Sequence, residues 1–116
     1  MIYKITSLKT SFIMILLFSS LLSSNEIIVI DVRSFEEVKT GVIQDAIHIE
    51  WTKIEEAITN LDISKEQPIY LYCRSGNRSG KATKILEKIG YTNAINAGGI
   101  KEAAKKLDKK IVKYSE

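Results

Sequence analysis

Beyond Glu26, short β-branched runs and stretches of helical periodicity take turns along the chain, with no internal repeat, low-complexity segment or proline-rich linker between them. Strands separated by helices return to one sheet in parallel, so the alternation predicts an α/β fold: one domain, with a mainly parallel sheet flanked by helices. The run from Ile27 to Asp31 is almost wholly apolar, as a strand covered on both faces requires. Ser34, with Glu37 three residues on, predicts a capping box for a short helix that stops at Gly41. Ala46–Ile49 reads as a second strand, and Ile54, Ala57, Ile58 and Leu61 as one buried helix stripe. Ile69–Cys73 is the expected central strand. Ala82, Ile85, Leu86 and Ile89 mark the next helix, which Gly90 closes. Asn93–Ala97 reads as a further strand, Gly98-Gly99 as a turn, and Lys101–Lys113 as one or two terminal helices.

The 116 residues leave room for a single domain, expected over residues 25–116. Residues 1–24 read as a secretory signal peptide: Lys4 and Lys9, an apolar run from Phe12 to Leu22, then Ser23 and Ser24. The alternative is an uncleaved membrane anchor, although the run falls short of the ~20 residues of a span. The expected location is therefore outside the cytoplasm, in the periplasm or cell envelope. Without Lys4 and Lys9 the chain keeps 15 basic residues against 14 acidic ones. That near balance provides no footprint for nucleic acid, and no stable membrane association is expected once the leader is removed. The lysines from Lys101 to Lys113 alternate with apolar residues and read as a solvated helix face.

Cys73 is the only cysteine, so an internal disulfide is ruled out and the thiol must be core filler, an intermolecular link or a reactive group. Its surroundings favour reactivity. In CRSGNRSG, Gly76 and Gly80 allow backbone N–H groups to turn inward as an anion nest, and the following helix adds the positive end of its dipole. Arg74 and Arg78 add full charges. A thiol at the rim of such a nest is expected to ionise easily and to attack an anionic substrate held there. A strand-end cysteine followed by two arginines and two glycines is a poor way to fill a core. A nucleotide-binding loop is disfavoured too, because only three residues separate Gly76 from Gly80 and Ala82 stands where a hydroxyl is needed. Ligands of open parallel sheets bind beyond the carboxyl ends of the strands, which is where both Cys73 and Asp31 fall.

The loop resembles the active-site loop of the rhodanese family, Cys-x-x-x-x-Arg at the end of a central strand. Ile30-Asp31-Val32-Arg33 with Glu36 and Glu37 resembles the family's N-terminal motif, and Gly90 to Gly99 resembles the segment after the active-site helix. Val42 and Asp45 depart from the pattern, where His and Gly are common; the two changes bear on a turn more than on catalysis. The tryptophan often found after the glycine pair is absent.

This resemblance implies a sulfurtransferase working by two displacements. Cys73 takes the outer sulfur of a donor such as thiosulfate, releasing sulfite, and an acceptor such as cyanide or a thiol then removes the sulfur from the persulfide. It implies no cofactor. The backbone from Arg74 through Ser75, Gly76, Asn77 and Arg78 to Ser79 would hold the charged sulfur, and Arg78 and Arg74 would offset substrate charge. Asp31 and Arg33 are expected to pair with each other or with the loop, in support rather than in catalysis. Two rival readings stand beside this one: a persulfide carrier that serves a partner, and a phosphatase or arsenate reductase. The latter fold relatives resemble a cysteine with five residues before arginine, whereas four separate Cys73 from Arg78. His48 is the only histidine and has no metal-ligand set around it in sequence, so it reads as structural. Trp51, Tyr70, Tyr72 and Tyr91 read as core or pocket wall.

Overall fold

The computed structural model describes residues 26–115; the leader segment expected over residues 1–24 lies outside them. The strands are β1 (Ile28–Asp31), β2 (Val42–Ile43), β3 (Ile47–His48), β4 (Ile69–Cys73), β5 (Ala94–Gly99) and β6 (Ile111–Val112). The helices are α1 (Phe35–Val38), α2 (Ile54–Thr59), α3 (Asn77–Lys88) and α4 (Ile100–Leu107), with a 3-10 turn at Trp51–Lys53 leading into α2. Four strands form a parallel sheet in the order β3-β1-β4-β5, and β2 pairs antiparallel with β6 in a separate ribbon.

Strand alternation splits the core into two layers. Ile30, Val32, Leu71 and Cys73 point to the face covered by α2 and α3, where they meet Ile54, Ile58, Ala82 and Leu86. Val29 and Tyr72 point to the other face, against Ile43, Ala97 and Ala103 and Ala104 of α4. Each fully buried Leu or Ile contributes on the order of 2 kcal/mol by leaving water, so this double cover is what holds the short central strands together. It also explains why β1 and β4 read as nearly continuous apolar runs.

Four features differ from the sequence reading. Leu61 lies past the end of α2 and is 40% exposed, so it does not complete the buried stripe. Gly98 and Gly99 are strand residues, not a turn: β5 runs through them, with an irregularity where Leu71 faces Asn96 but Tyr72 faces Gly98, leaving Ala97 as an extra residue. The lysine-rich tail forms one helix, within the one or two expected, but that helix ends at Leu107, where Asp108 adopts a left-handed backbone, φ 52°, rather than near Lys113. Ile111–Val112 then joins β2 as a strand, because the paired hydrogen bonds of Val42–Ile43 outweigh the helical spacing of an exposed tail. The departure at Asp45 leaves the turn's geometry workable, since Asp45 takes up the left-handed conformation itself, φ 69°.

Candidate active site

Cys73 is the last residue of β4 and is fully buried. Its neighbour Gly99 on β5 has to be glycine: a Cβ there would come within 2.6 Å of the Arg74 carbonyl oxygen. The chain leaves Cys73 through Arg74 and Ser75, both exposed, and turns at Gly76 in the left-handed region, φ 99°. That turn directs the Gly76 N–H back at the sulfur, 3.0 Å away, and Gly76 then serves as N-cap of α3. One turn into α3, the buried Ser79 places its hydroxyl 3.4 Å from the same sulfur. A sulfur at the focus of a helix N-terminus receives both oriented donors and the positive end of the dipole.

The ionisation of Cys73 follows from opposing influences. Burial opposes the charged form, but hydrogen bonds from the Ser79 hydroxyl and from the backbone N–H groups of Ser79, Ser75 and Gly76 outweigh it and bring the thiol down from 9.0 to about 7. At neutral pH a large fraction is therefore thiolate, the nucleophilic form.

Arg78 has a protein partner of its own. Its guanidinium is held in a two-pronged ion pair with Glu37, Nη1 to Oε1 at 2.6 Å and Nη2 to Oε2 at 2.8 Å. The hydrogen bond from Arg78, together with bonds from the Ser34 side chain and backbone and against the cost of burial, holds Glu37 down at about 2. The same pair raises Arg78 above its ordinary value. Arg78 thus reaches the sulfur as a fixed background charge, and Arg74 is the arginine of the loop that faces solvent. In the sequence Glu37 was legible as a helix cap and as part of the N-terminal motif, not as the partner of Arg78. Its capping box with Ser34 is present, and the same carboxylate fastens α1 to the active-site helix.

Asp31 and Arg33 pair with each other. Arg33 donates from Nη2 to Asp31 Oδ2 at 2.7 Å and from Nε and its backbone N–H to Oδ1, each at 3.0 Å. A further bond from Nη2 reaches the Gly41 carbonyl at 2.6 Å. Both residues are buried, and the pair braces the end of β1. His48 donates from Nε2–H to the Arg33 carbonyl, 2.7 Å away, which fits a structural role. Asn96 was not singled out by sequence; it bonds to Gly76, Ser79 and Gly98. Among the described residues no group of His, Cys, Asp and Glu side chains is placed to hold a metal ion, and no helix is long and apolar enough to cross a membrane.

A strand-end cysteine in a helix-capped loop on this sheet is matched by a family model for the rhodanese-like domain, over residues 17–106. The chain belongs to the rhodanese family. As a rhodanese-family sulfurtransferase it is 39% identical over 75 residues to thiosulfate sulfurtransferase PspE of Escherichia coli (strain K12), a match that covers 65% of this chain and 72% of that one. Among solved structures, a rhodanese with anions from E. coli superposes with a TM-score of 0.70 at 35% identity, covering 77% of this chain and all of the other, 100%. The human single-domain sulfurtransferase TSTD1 superposes with a TM-score of 0.60 at 31% identity, covering 77% and 90%.

Proposed function

We propose that this rhodanese moves sulfane sulfur from a small anionic donor, thiosulfate or a relative of it, to a thiophilic acceptor through a persulfide on Cys73. The observation that carries the reading is the sulfur itself: buried, met by the Gly76 N–H at 3.0 Å, and brought to about 7 by the loop's donors. The thiolate attacks the outer sulfur of thiosulfate, and the sulfur–sulfur bond breaks with its electron pair leaving on sulfite. Cys73 then carries a terminal sulfur with one negative charge. The backbone N–H groups from Arg74 to Ser79 are the donors that charge would meet, as in an oxyanion hole. Arg74 attracts the incoming dianion, while Arg78, already matched by Glu37, orders the helix start. Cyanide or a thiolate attacks the terminal sulfur, leaves as thiocyanate or a new persulfide, and restores the Cys73 thiolate. The two half-reactions are redox-neutral overall and call for no cofactor.

The relatives' names support thiosulfate as donor, since PspE of E. coli is a thiosulfate sulfurtransferase. The carrier reading shares the first half-reaction and differs in lacking turnover with small acceptors. A phosphatase is less well served here, because the arginine that would grip an oxyanion in two places is gripped by Glu37 instead. The leader supports export: we assign residues 1–24 as a signal peptide, 25–116 as the mature domain, and the cell envelope or periplasm as its location, from the basic start and apolar run.

The test is a thiosulfate-to-cyanide assay on the full chain beside Cys73→Ala, read together with intact mass. Thiocyanate formation and a gain of one sulfur atom on thiosulfate treatment, both lost in the variant, are the expected results. A stable added sulfur without thiocyanate would replace the enzyme by a carrier. Neither signal would remove the proposal altogether. For the leader, intact mass of protein recovered from an envelope extract should lack the first two dozen residues.

A further inference from the structure

The carboxamide of Asn96 joins three parts of the site. Its Oδ1 accepts from the Ser79 hydroxyl at 2.7 Å and from the Gly98 N–H at 3.0 Å, and its Nδ2 donates to the Gly76 carbonyl at 3.0 Å. Turning the amide over would set its NH2 against the Gly98 N–H and its oxygen against the Gly76 oxygen, so its orientation is determined by its partners. The loop makes room for it. A Cβ on Gly80 would lie 3.2 Å from Asn96 Nδ2, and one on Gly76 would lie 3.9 Å from it. The glycines that the sequence presents as a pliable anion loop are thus also the clearance for this amide. The extra residue Ala97 in β5 lies in the core beside it, while Asn96 itself remains at the surface of the loop.

Two consequences follow from those bonds. The Gly76 peptide group is planar, so a carbonyl held by Asn96 Nδ2 and by the Gly80 N–H, each at 3.0 Å, also fixes the Asn77 N–H on the opposite side, pointing out of the start of α3. Ser79, for its part, has one hydroxyl hydrogen and two acceptors in reach, Asn96 Oδ1 at 2.7 Å and Cys73 Sγ at 3.4 Å. With a neutral sulfur the hydrogen rests on the shorter bond to Asn96. A charged sulfur draws it, because a hydrogen bond to an ionised acceptor is roughly twice as strong as a neutral one. Asn96 Oδ1 keeps the Gly98 N–H when it lets go, so nothing is left unsatisfied.

We propose that Asn96 is the positioning residue of the sulfur-transfer site: its amide holds the Gly76 peptide of the cradle and stores the Ser79 hydroxyl hydrogen for the charged sulfur of the thiolate and the persulfide. This rests on the reading of Cys73 as the sulfur-carrying nucleophile. Charged groups around Cys73 include Asp31 at the end of β1, Arg33 just past it, Glu37 on α1, Arg74 in its own loop, Arg78 on α3, and Glu102 on α4 against Gly98. The substitutions below leave all of them in place.

The experiment uses the full chain with Asn96→Asp and Asn96→Leu, and reads three quantities: the pH dependence of Cys73 alkylation by iodoacetamide, kcat/KM with thiosulfate and cyanide, and Tm. Asn96→Asp keeps both accepted bonds, turns an anionic oxygen toward the Gly76 carbonyl and holds the Ser79 hydrogen more firmly. Its alkylation midpoint should rise by about one pH unit or more. In a Ser79→Ala background the same change should move the midpoint by about half as much or less, since part of the effect runs through the hydroxyl. Asn96→Leu should lower kcat/KM roughly tenfold, with KM for thiosulfate raised, because the cradle peptide loses the side-chain hold and keeps only the Gly80 N–H on its carbonyl. Equal midpoint shifts in the two backgrounds would reduce Asn96→Asp to the effect of an added charge and overturn the proposal. So would a lowered Tm with rates and midpoints unmoved in both variants. If the unsubstituted chain shows no turnover, the proposed function fails, yet the alkylation profiles still decide the role of Asn96.

Discussion

Cys73 is the residue whose behaviour depends most directly on pH. Its thiol titrates at about 7 rather than 9.0, so kcat/KM for thiosulfate should rise with pH through about 7 and level off above it, as the rate of alkylation by iodoacetamide should. A midpoint between 8 and 9 would mean that the loop's donors do not act on the sulfur; ordinary thiols lie at about 8.5. The same depressed value has a stability consequence: the thiolate's contribution is fully present above the unfolded value and is lost as pH falls through about 7. Gly99 makes a second prediction at this scale. A Cβ at 2.6 Å from the Arg74 carbonyl forces β5 and the loop apart, so Gly99→Ala should lose about 2 kcal/mol or more in a denaturant melt and slow alkylation of Cys73. Ser79 and the loop glycines were legible as residue types, because nests and helix starts have a known grammar. The choice of partner for Arg78 was not, because an arginine's reach spans several elements and sequence spacing says nothing of which carboxylate lies across the fold.

Among the elements, α1 matters beyond its four residues, because Glu37 both closes the capping box with Ser34 and grips Arg78 at the start of α3. Glu37→Gln should therefore cost about 1.5–3 kcal/mol near neutral pH, the range for hydrogen bonds to a charged group. Glu37 is depressed from 4.5 to about 2, so this contribution is present above 4.5 and fades as pH falls toward 2. Melts of the two proteins at a series of pH values should converge there; a difference that persisted at low pH would assign the loss to packing. Helix α3 carries the loop by burying Ala82 and Leu86 against β4. Leu86→Ala should destabilise by about 2–5 kcal/mol while the folded fraction keeps an alkylation midpoint of about 7. The elements with strong local signals, β1, β4, α3 and the capping box of α1, stood out in the sequence. The two-residue strands β2 and β6 did not, since each is too short for a period and each exists only because the other is there to bond with it.

On the scale of the whole molecule, the Asp31–Arg33 pair joins the end of the central sheet to the Gly41 turn and hence to the β2–β6 ribbon. Both side chains are buried, 0% and 5% exposed, so Asp31→Ala leaves a cation unmatched and should cost about 3–5 kcal/mol; removing both partners together should cost less. A loss no larger than that of a surface substitution would show that water reaches Arg33. By itself the sequence determined the α/β architecture, the parallel central strands, the strand-end cysteine and its glycine-bearing loop. These depend on periodicity, on β-branched runs and on turn residues, which act between neighbours in the chain. Only the tertiary structure decided that Arg78 is matched by Glu37, that Asn96 reaches into the loop from β5, and that Ile111–Val112 becomes a strand. Each of those contacts joins residues distant in sequence, and its energy exists only once the two-sided burial of the sheet has brought them within a hydrogen bond's length.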